Sequence, residues 1–342
     1  MRPKIIWLTT NSCAGDILSL LNARHPSFHQ MTTHYFEFYF EPFTMAAEGS
    51  SVFSGVDNAL AGRAGDYILV VEGNIPTAAK GRFCVLAYRN GRPWTALEAV
   101  KELAAKARYV VAAGTCAAFG GPYAARPNPT RAKPVSTVVP QKVINVPGCP
   151  VHPDWLAGTL YHLAAHGEPE LDPYNRPVTY FGATVHDRCP RRAAFEDGCF
   201  ATQPGELGCM HRLGCKGPVT YADCPQRQWC GEYTNWPVGA NTPCIGCASP
   251  AFPDGVSPFF EHLPDFKAPF SLPAERAGLL TGALTALGIG VHLAANIVTD
   301  RLGRRPKMSH KARRRVARAV KNFCPASLSS RIPEKPLEAG PT

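Results

Sequence analysis

The sequence has little charge, no visible secretory leader and almost no closely spaced cysteine pairs. Charged residues make up 18% of its 342 positions, whereas proline and glycine number 33 and 30. This composition indicates a folded chain that is rich in loops and buries much of its backbone. A chain of this length is expected to form about two domains.

The missing leader bears on the interpretation of the thirteen cysteines. Met1 is followed almost at once by KIIWLTT, which is typical of a core strand and not of a signal peptide. Without a secretory route a disulfide framework is disfavoured, and metal ligation better explains so many cysteines. Only Cys244 and Cys247 form a C-x-x-C pair, whereas structural zinc sites commonly use two such pairs.

Acidic residues are absent from one segment near the C-terminus. Between Arg301 and Asn322 there are ten Lys or Arg and no Asp or Glu, which accounts for the whole formal net charge of +10. The body of the chain is therefore neutral, and the basicity belongs to a tail. We expect no nucleic-acid-binding face on the folded part.

The first 165 residues alternate strand-like and helix-like segments. Four short apolar runs rich in β-branched residues end in turn residues: IIWLTT, YILVVEG, YVVAAGT and VINVPG. Helix-like segments lie between them, for example from Pro93 to Ala107. This alternation predicts an α/β domain with a mostly parallel sheet, in which sites form at the carboxyl ends of the strands.

Three cysteines directly follow these predicted strands. Cys13 follows IIWLTT, Cys116 lies in GTCAAFGG, and Cys149 lies in PGCPVHPDW. One cysteine in such a place would carry little meaning, because cysteine is common in cores. Three at the same edge, together with Asp16 in the stretch SCAGD, make four candidate ligands for one metal site.

The two acidic residues at this edge also admit simpler roles. Asp16 stands at the start of a predicted helix, where aspartate is a normal capping residue. Glu72 ends the run YILVVE, and we expect it to cap the following turn in preference to joining the site.

Regular periodicity fades between about Arg176 and Pro264, where Gly, Pro and Cys dominate. Eight of the thirteen cysteines lie between Cys189 and Cys247. A segment with so few apolar runs cannot easily build its own core, and metal clusters would supply the missing cross-links. Thiolates, with an occasional imidazole, are the usual ligands of iron–sulfur clusters, and zinc is the competing interpretation.

Taken together, the motifs resemble the small subunit of nickel–iron hydrogenases. The resemblance runs from about Ile5 to Asp254 and rests on eight motifs in family order: NSCAGD, VVEGNIPT, GTCAAFGG, PGCPVHPDW, HDRCP, GCKGPVTYADCP, NWPVG and PCIGCASPAFPD. The aspartate of SCAGD and the long C-terminal extension resemble the actinobacterial-type, high-affinity branch of this family.

The resemblance implies a fold with three parts. Residues 1–170 would form a flavodoxin-like domain with a parallel sheet, and residues 171–265 an irregular iron–sulfur-cluster domain. Residues 266–342 would form a C-terminal extension with an apolar helix and a basic tail.

The resemblance also implies two 4Fe–4S clusters and one 3Fe–4S cluster in a row. The proximal 4Fe–4S cluster would be held by Cys13, Asp16, Cys116 and Cys149, with Asp16 where the family normally has a fourth cysteine. The medial 3Fe–4S cluster would be held by Cys224, Cys244 and Cys247, with Pro237 at the vacant corner. The distal 4Fe–4S cluster would be held by His186, Cys189, Cys209 and Cys215. The other cysteines are expected to be ordinary thiols: Cys84, Cys199, Cys230 and Cys324.

The implied activity is that of an oxidoreductase acting on hydrogen. The nickel–iron centre would lie in a large partner subunit, so no catalytic residue is expected in this chain, which would pass electrons to an acceptor that the sequence does not identify. One alternative is a quinone-reductase-type iron–sulfur subunit, which resembles only the first domain and carries one cluster. The other is a zinc-stabilised binding module whose basic tail holds an anionic partner.

The expected assembly is an obligate heterodimer with the large subunit, which assembles further into a higher oligomer. The segment from Ala277 to Thr299 has 23 residues without Asp, Glu, Lys or Arg, which is long enough to span a bilayer. It also contains His292 and Asn296, so it is only weakly apolar. Exported members of the family carry a twin-arginine leader, which is not seen here. We therefore expect a cytoplasmic protein whose helical extension mediates assembly, with peripheral membrane contact as a further option.

Overall fold

The computed structural model describes residues 2–89, 91–229, 233–261 and 274–298. The chain divides into two units, Met1–Leu263 and Pro264–Thr342. The strands are β1 (Lys4–Thr9), β2 (Glu37–Phe40), β3 (Tyr67–Glu72), β4 (Ile75–Pro76), β5 (Val85–Arg89), β6 (Arg92–Thr95), β7 (Tyr109–Ala113), β8 (Ala132–Lys133) and β9 (Val143–Val146). The helices are α1 (Gly15–Leu20), α2 (Phe28–Gln30), α3 (Ser54–Ala61), α4 (Ala96–Ala104), α5 (Gly114–Phe119), α6 (Pro153–Ala165), α7 (Val178–Phe181), α8 (Arg192–Glu196), α9 (Cys224–Arg227) and α10 (Ala274–Val298).

The centre of the first unit is a five-stranded parallel sheet in the order β2-β1-β3-β7-β9. Counted among themselves in chain order, these strands lie as 2-1-3-4-5, which is the flavodoxin-like arrangement. The four strands predicted from apolar runs correspond to β1, β3, β7 and β9, so the predicted parallel α/β sheet is confirmed.

Both faces of the sheet are buried, as parallel sheets require. Along β1, Ile5 and Trp7 belong to the apolar cluster on one face, whereas Ile6 and Leu8 belong to the cluster on the other. Every residue of β3 is buried. This double burial explains why the central strands read as continuous apolar runs with no polar alternation.

The helix predicted from Pro93 to Ala107 begins later than expected. Residues Arg92–Thr95 form β6, which pairs antiparallel with β5. Helix α4 then starts at a capping box, in which the Thr95 hydroxyl accepts the Glu98 N–H at 3.2 Å and the Glu98 carboxylate accepts the Thr95 N–H at 3.1 Å.

Beyond residue 170, the first unit consists mainly of turns and short helices. In this part of the chain, leaving out 230–232 and 262–263, the structure has isolated bridges but no paired strand. Its apolar side chains join the same core cluster as Trp7 and Trp155: Phe181, Val185, Met210 and Trp236 among them. The predicted boundary at residue 170 therefore lies within one compact unit, and a division into two domains there stays a prediction.

The described part of the second unit is the helix α10. Its segment Gly278–Ile297 has a mean hydropathy of 1.6 and is long and apolar enough to cross a membrane by length and composition. Apolar residues occupy every side of the helix, and the large ones are exposed. The basic tail from Arg301 onward lies outside the described residues.

Candidate functional site

The four groups predicted for the proximal site lie together at the carboxyl edge of the sheet. Cys13 follows β1, Cys116 lies in the first turn of α5 after β7, and Cys149 follows β9. Burial raises the pKa of Cys116 to about 12, and the nearby groups of Cys149, Asp16 and Cys13 add to this increase. Cys149 is exposed as a residue, but partial desolvation of its thiol raises its pKa to about 11, and Cys247, Asp16 and Cys13 add to the increase. The structure therefore brings all four groups into one electrostatic neighbourhood.

The Asp16 carboxylate is wedged between the two loops that carry Cys116 and Cys149. Asp16 is 6% exposed, and its Oδ1 accepts the Val151 N–H at 2.7 Å. On the other side it faces Gly114, where an added Cβ would lie 2.0 Å from Asp16 Oδ2. Burial raises the pKa of Asp16 to about 7, with a further contribution from the charge of Glu72.

The alternative role of Asp16 as a cap of its own helix is not what the hydrogen bonds indicate. The N-cap position of α1 is Ala14, and it makes no side-chain capping bond. The carboxylate of Asp16 reaches the backbone after β9, 135 residues further along the chain. This contact between distant parts of the sequence positions the carboxylate beside the thiols.

Glu72 belongs to this site more closely than the sequence indicated. It is fully buried, and its carboxylate accepts the Asp16 N–H at 3.0 Å, the Ser12 hydroxyl at 2.9 Å and the Trp7 indole N–H at 3.1 Å. The expectation that Glu72 caps the turn after its own strand was wrong. It stabilises the start of α1 instead, because a carboxylate favours the exposed N–H groups of a helix N-terminus.

The groups predicted for the medial site line one largely apolar cavity of about 390 Å³. Its lining includes Cys149, Cys224, Cys244, Cys247 and Pro237. Burial raises the pKa of Cys224 to about 12 and also raises those of Cys244 and Cys247. A water molecule takes about 30 Å³ in the liquid, so the cavity has room for a much larger group between the thiols.

The three cysteines predicted for the distal site lie close together in the irregular region. Burial raises the pKa of Cys189, and the thiols of Cys215 and Cys209 add to the increase. The pKa of Cys209 is raised in the same way by burial and by Cys215.

His186 lies beside this thiol group. Its carbonyl accepts the Cys189 N–H at 3.2 Å, and its own N–H donates to Gly217 O at 3.2 Å. A Cβ on Gly217 would stand 3.5 Å from Cys215 Sγ and 3.6 Å from the His186 nitrogen. Burial, with a smaller contribution from the Arg192 charge, lowers the pKa of His186. The imidazole is therefore neutral at pH 7, which is the form that ligates metals.

The three thiol sets adjoin one another in a row. Cys149 of the proximal set lines the same cavity as Cys224, Cys244 and Cys247, and the nearby Cys247 adds to the increase in its pKa that burial causes. The Lys216 N–H, directly after Cys215, donates to Cys244 O at 2.7 Å, which joins the medial and distal sets.

Thr115 is a residue of the site that sequence reasoning missed. It is 1% exposed. The Thr115 hydroxyl donates to Cys247 O at 2.5 Å and accepts the Gly148 N–H at 2.9 Å. Thr115 thus ties the cysteine loops of the proximal set to the medial set. Its only signal in the sequence was its position next to Cys116.

The remaining cysteines are assigned to none of the three thiol sets. Of the unassigned cysteines, Cys84 and Cys199 are half-buried, whereas Cys230 and Cys324 lie outside the described residues. No disulfide links the cysteines that the structure describes. Within the described ranges, no group of three or more His, Cys, Asp or Glu side chains is arranged to hold a single metal ion.

Two families of known proteins match successive parts of the chain. Residues 13–163 match the NADH ubiquinone oxidoreductase 20 Kd subunit, and residues 181–260 match the C-terminal region of the NiFe/NiFeSe hydrogenase small subunit. The quinone-reductase alternative accounts only for the first match. The second match covers the irregular region with the medial and distal cysteines, so it favours a hydrogenase.

Individual relatives agree with this assignment. The periplasmic [NiFeSe] hydrogenase small subunit of Desulfomicrobium baculatum is 40% identical over 75% of this chain and 86% of its own length. The hydrogenase-2 small chain of Escherichia coli is 35% identical over 90% of this chain and 85% of its own length. Among solved structures, the actinobacterial-type NiFe-hydrogenase from Ralstonia eutropha has a matching chain with a TM-score of 0.73 and 30% identity, covering 90% of this chain and 93% of that one. The chain therefore belongs to the small subunits of nickel–iron hydrogenases, the electron-transfer subunits of oxidoreductases that act on hydrogen.

Proposed function

We propose that this electron-transfer subunit holds two 4Fe–4S clusters and one 3Fe–4S cluster, and that it works with a large subunit in which the nickel–iron centre lies. The observation that carries the proposal is the row of three adjoining thiol sets inside one compact unit. When bound, the clusters would supply one-electron transfer at three successive positions. The direction we infer is from the proximal set, through the medial set, to the distal set and an acceptor.

The ligand assignment follows the three sets. The proximal ligands are Cys13, Asp16, Cys116 and Cys149; the medial ligands are Cys224, Cys244 and Cys247, with Pro237 at the vacant corner; and the distal ligands are His186, Cys189, Cys209 and Cys215. The assignment of Asp16 is supported by its position between the loops of Cys116 and Cys149. A carboxylate is a harder ligand than a thiolate, so its presence distinguishes the proximal site chemically from the distal one.

The partner subunit would cover the proximal face of this chain. Cys13 and Cys149 are exposed, and an apolar depression beside them is lined by Gly15, Leu18 and Pro150. Leu18 is 52% exposed, which leaves an apolar face next to the exposed cysteines open to solvent. We infer that the large subunit buries this face in an extensive, apolar interface. A cluster-loaded chain that runs as a stable monomer on gel filtration would contradict this inference.

Iron and acid-labile sulfide analysis of the purified heterodimer tests the cluster proposal. This chain should contribute about eleven iron atoms, from two four-iron clusters and one three-iron cluster. Electron paramagnetic resonance should detect an oxidised 3Fe–4S signal. Zinc without sulfide would overturn the proposal, and about four irons would favour a one-cluster subunit.

We further propose a cytoplasmic location, with α10 serving in assembly between copies of the enzyme. A helix that lies on a membrane surface needs a separate polar face, whereas the few polar residues of α10 are mixed with apolar ones on every side. Gly278 and Gly282 provide the small-xxx-small spacing that lets helices pack closely. A chain truncated after residue 263 should then form heterodimers that no longer associate further on gel filtration. Release of the intact enzyme from membranes by detergent, but not by high salt or carbonate, would overturn this proposal.

A further inference from the structure

The guanidinium of Arg191 lies among the loops that carry the distal and medial cysteines. Arg191 follows Cys189 by two residues, and its backbone N–H donates to Cys189 Sγ at 3.4 Å. Its Nη1 donates to Gly208 O at 3.0 Å, directly before another distal cysteine. Its Nη2 donates to the side-chain oxygen of Asn241, in the loop that leads to Cys244. The Arg191 side chain thus joins its own segment, which carries Cys189, to two other cysteine-bearing segments.

No carboxylate in the described part of the chain forms an ion pair with Arg191. Its hydrogen-bond acceptors are neutral: the amide of Asn241 and the backbone carbonyls of Gly208 and, at 3.4 Å, Glu206. The neighbouring Arg192 is different, because it pairs with Asp187 at 3.3 Å and with Glu196 at 3.0 Å. Arg191 therefore keeps a positive charge that is not balanced locally.

This charge acts on the distal thiols. It belongs to the residue whose backbone N–H contacts Cys189 Sγ, and its guanidinium bonds the carbonyl that directly precedes Cys209. The interaction between two charges weakens as their distance and the local dielectric constant increase. A nearby half-buried cation therefore interacts with the distal sulfurs more strongly than an exposed one does. A cation beside the distal sulfurs favours any further negative charge placed among them.

We propose that Arg191 raises the reduction potential of the distal centre through its unbalanced charge, while its hydrogen bonds hold the distal and medial cysteine loops in register. The inference rests on the proposed ligand sets. Reduction adds one negative charge to the centre, and the fixed cation stabilises that charge. Electrons that reach the medial set are thereby favoured to move on toward the exit.

The charge can be removed in two independent ways. Arg191→Gln deletes it directly, whereas Asn241→Asp keeps the size and the hydrogen bond of the side chain and balances the charge with a carboxylate. Each variant, purified as the heterodimer, is titrated against potential while the reduced 4Fe–4S signal is followed by electron paramagnetic resonance. We expect the distal midpoint to fall by about 59 mV, a tenfold change in the one-electron equilibrium.

Two further variants separate charge from hydrogen bonding. Arg191→Lys keeps the charge with a poorer hydrogen-bond geometry. The equilibrium constant for one-electron reduction of its distal centre should therefore stay within threefold of the wild-type value. Arg212→Gln removes an exposed cation that lies 4.7 Å over the Phe200 ring, and it should also leave the midpoint nearly unchanged.

The outcomes are distinguishable. Wild-type enzyme without a distal signal would mean that the proposed cluster set is wrong. An intact distal signal with the same midpoint potential in the wild type, Arg191→Gln and Asn241→Asp would overturn the role of Arg191. An equal fall in Arg191→Lys and Arg191→Gln would assign the effect to hydrogen bonds and would also overturn it. If Arg191→Gln fails to assemble, Asn241→Asp decides alone.

Discussion

The proximal and distal thiol sets are built on opposite principles. The proximal groups follow β1, β7 and β9, so the hydrogen-bonded ladder of a parallel sheet positions them. The distal groups lie in turns, which are held by backbone hydrogen bonds such as that from the His186 N–H to Gly217 O and by the side chain of Arg191, which bonds Gly208 O. The bonds of the ladder repeat along neighbouring strands, whereas each bond between the turns is unrepeated. The proximal set should therefore fail mainly when its geometry is obstructed, and the distal set when its charges or contacts are changed.

Obstruction at Gly114 should have the largest effect. Gly114 has a φ of +78° and faces Asp16 Oδ2, to which a new Cβ would lie 2.0 Å. Left-handed strain and overpacking together predict that Gly114→Ala lowers the free energy of unfolding by about 2–5 kcal/mol. The proximal cluster should be lost, as measured by iron content and denaturant titration.

A matched control separates the two contributions. Gly65 has a φ of +85° with no atom within 4 Å of an added Cβ. Gly65→Ala should therefore show only the backbone strain, about 1–2 kcal/mol, and keep its full iron content. A loss of iron in both variants would argue that strain, and not the contact with Asp16, is responsible.

The next largest effect should come from Asp16 itself. In the wild type the Val151 N–H donates to Asp16 Oδ1 at 2.7 Å. Asp16→Asn keeps an oxygen that can accept this bond, but an amide is a weak metal ligand. We expect Asp16→Asn and Asp16→Ala to open the proximal cluster, and Asp16→Cys to keep four irons with a shifted potential. Electron paramagnetic resonance spectra, recorded during a potentiometric titration, report the state and the potential of the proximal cluster. An Asn variant with an unchanged potential would show that Asp16 is only a structural acceptor.

A change at Pro237 should alter one cluster without unfolding the chain. Pro237 lines the medial cavity with Cys224, Cys244 and Cys247. Pro237→Cys offers a fourth thiolate, so the medial centre should become 4Fe–4S with a lower potential and its oxidised 3Fe–4S signal should disappear. Ala240→Cys, at another position that lines the same cavity, is the control and should keep that signal. Persistence of the signal in Pro237→Cys would argue against the assigned corner.

The smallest effect is expected where the regular and irregular parts are tied together. Thr115→Val removes the bonds of the hydroxyl to Cys247 O and Gly148 N. Leaving these buried groups unpaired should cost about 1–3 kcal/mol, with all three clusters retained. Thr159, 1% exposed with a hydroxyl bonded to Trp155 O, supplies the control Thr159→Val, which should cost less because that bond lies within one helix. Equal costs would mean that Thr115 has no special role in joining the sets.

The sheet and its cysteine edge could be predicted because their signals are local. The predicted runs match β1, β3, β7 and β9 to within about two residues at each end. Strand β2 was missed, since Glu37–Phe40 is a short edge strand that is only partly buried and so lacks a continuous apolar run. The start of α4 was misjudged because β6 is defined by pairing with β5 and not by its own sequence.

The contacts that complete the candidate site could not be predicted in this way. Thr115 reaches a carbonyl 132 residues away, and Arg191 reaches an amide 50 residues away. Such partners leave no period or spacing in the sequence. The distal and medial cysteines were grouped only through the resemblance of their motifs to a known family, because turns carry no pattern that states which cysteines meet. Glu72 was misjudged for the same reason, since its partners at Ser12 and Asp16 come from another strand's loop.

The shared apolar core has a consequence for the life of the protein in a cell. Trp155 of α6 packs edge-on against Phe181 at 5.0 Å between ring centroids, and its indole donates to Asp223 at 2.6 Å. Disorder in the irregular region would therefore also expose core side chains that pack on the sheet. A chain that fails to receive one cluster is expected to be less stable as a whole. Its unfolded fraction would be removed by proteases, so chains that lack a cluster would not accumulate.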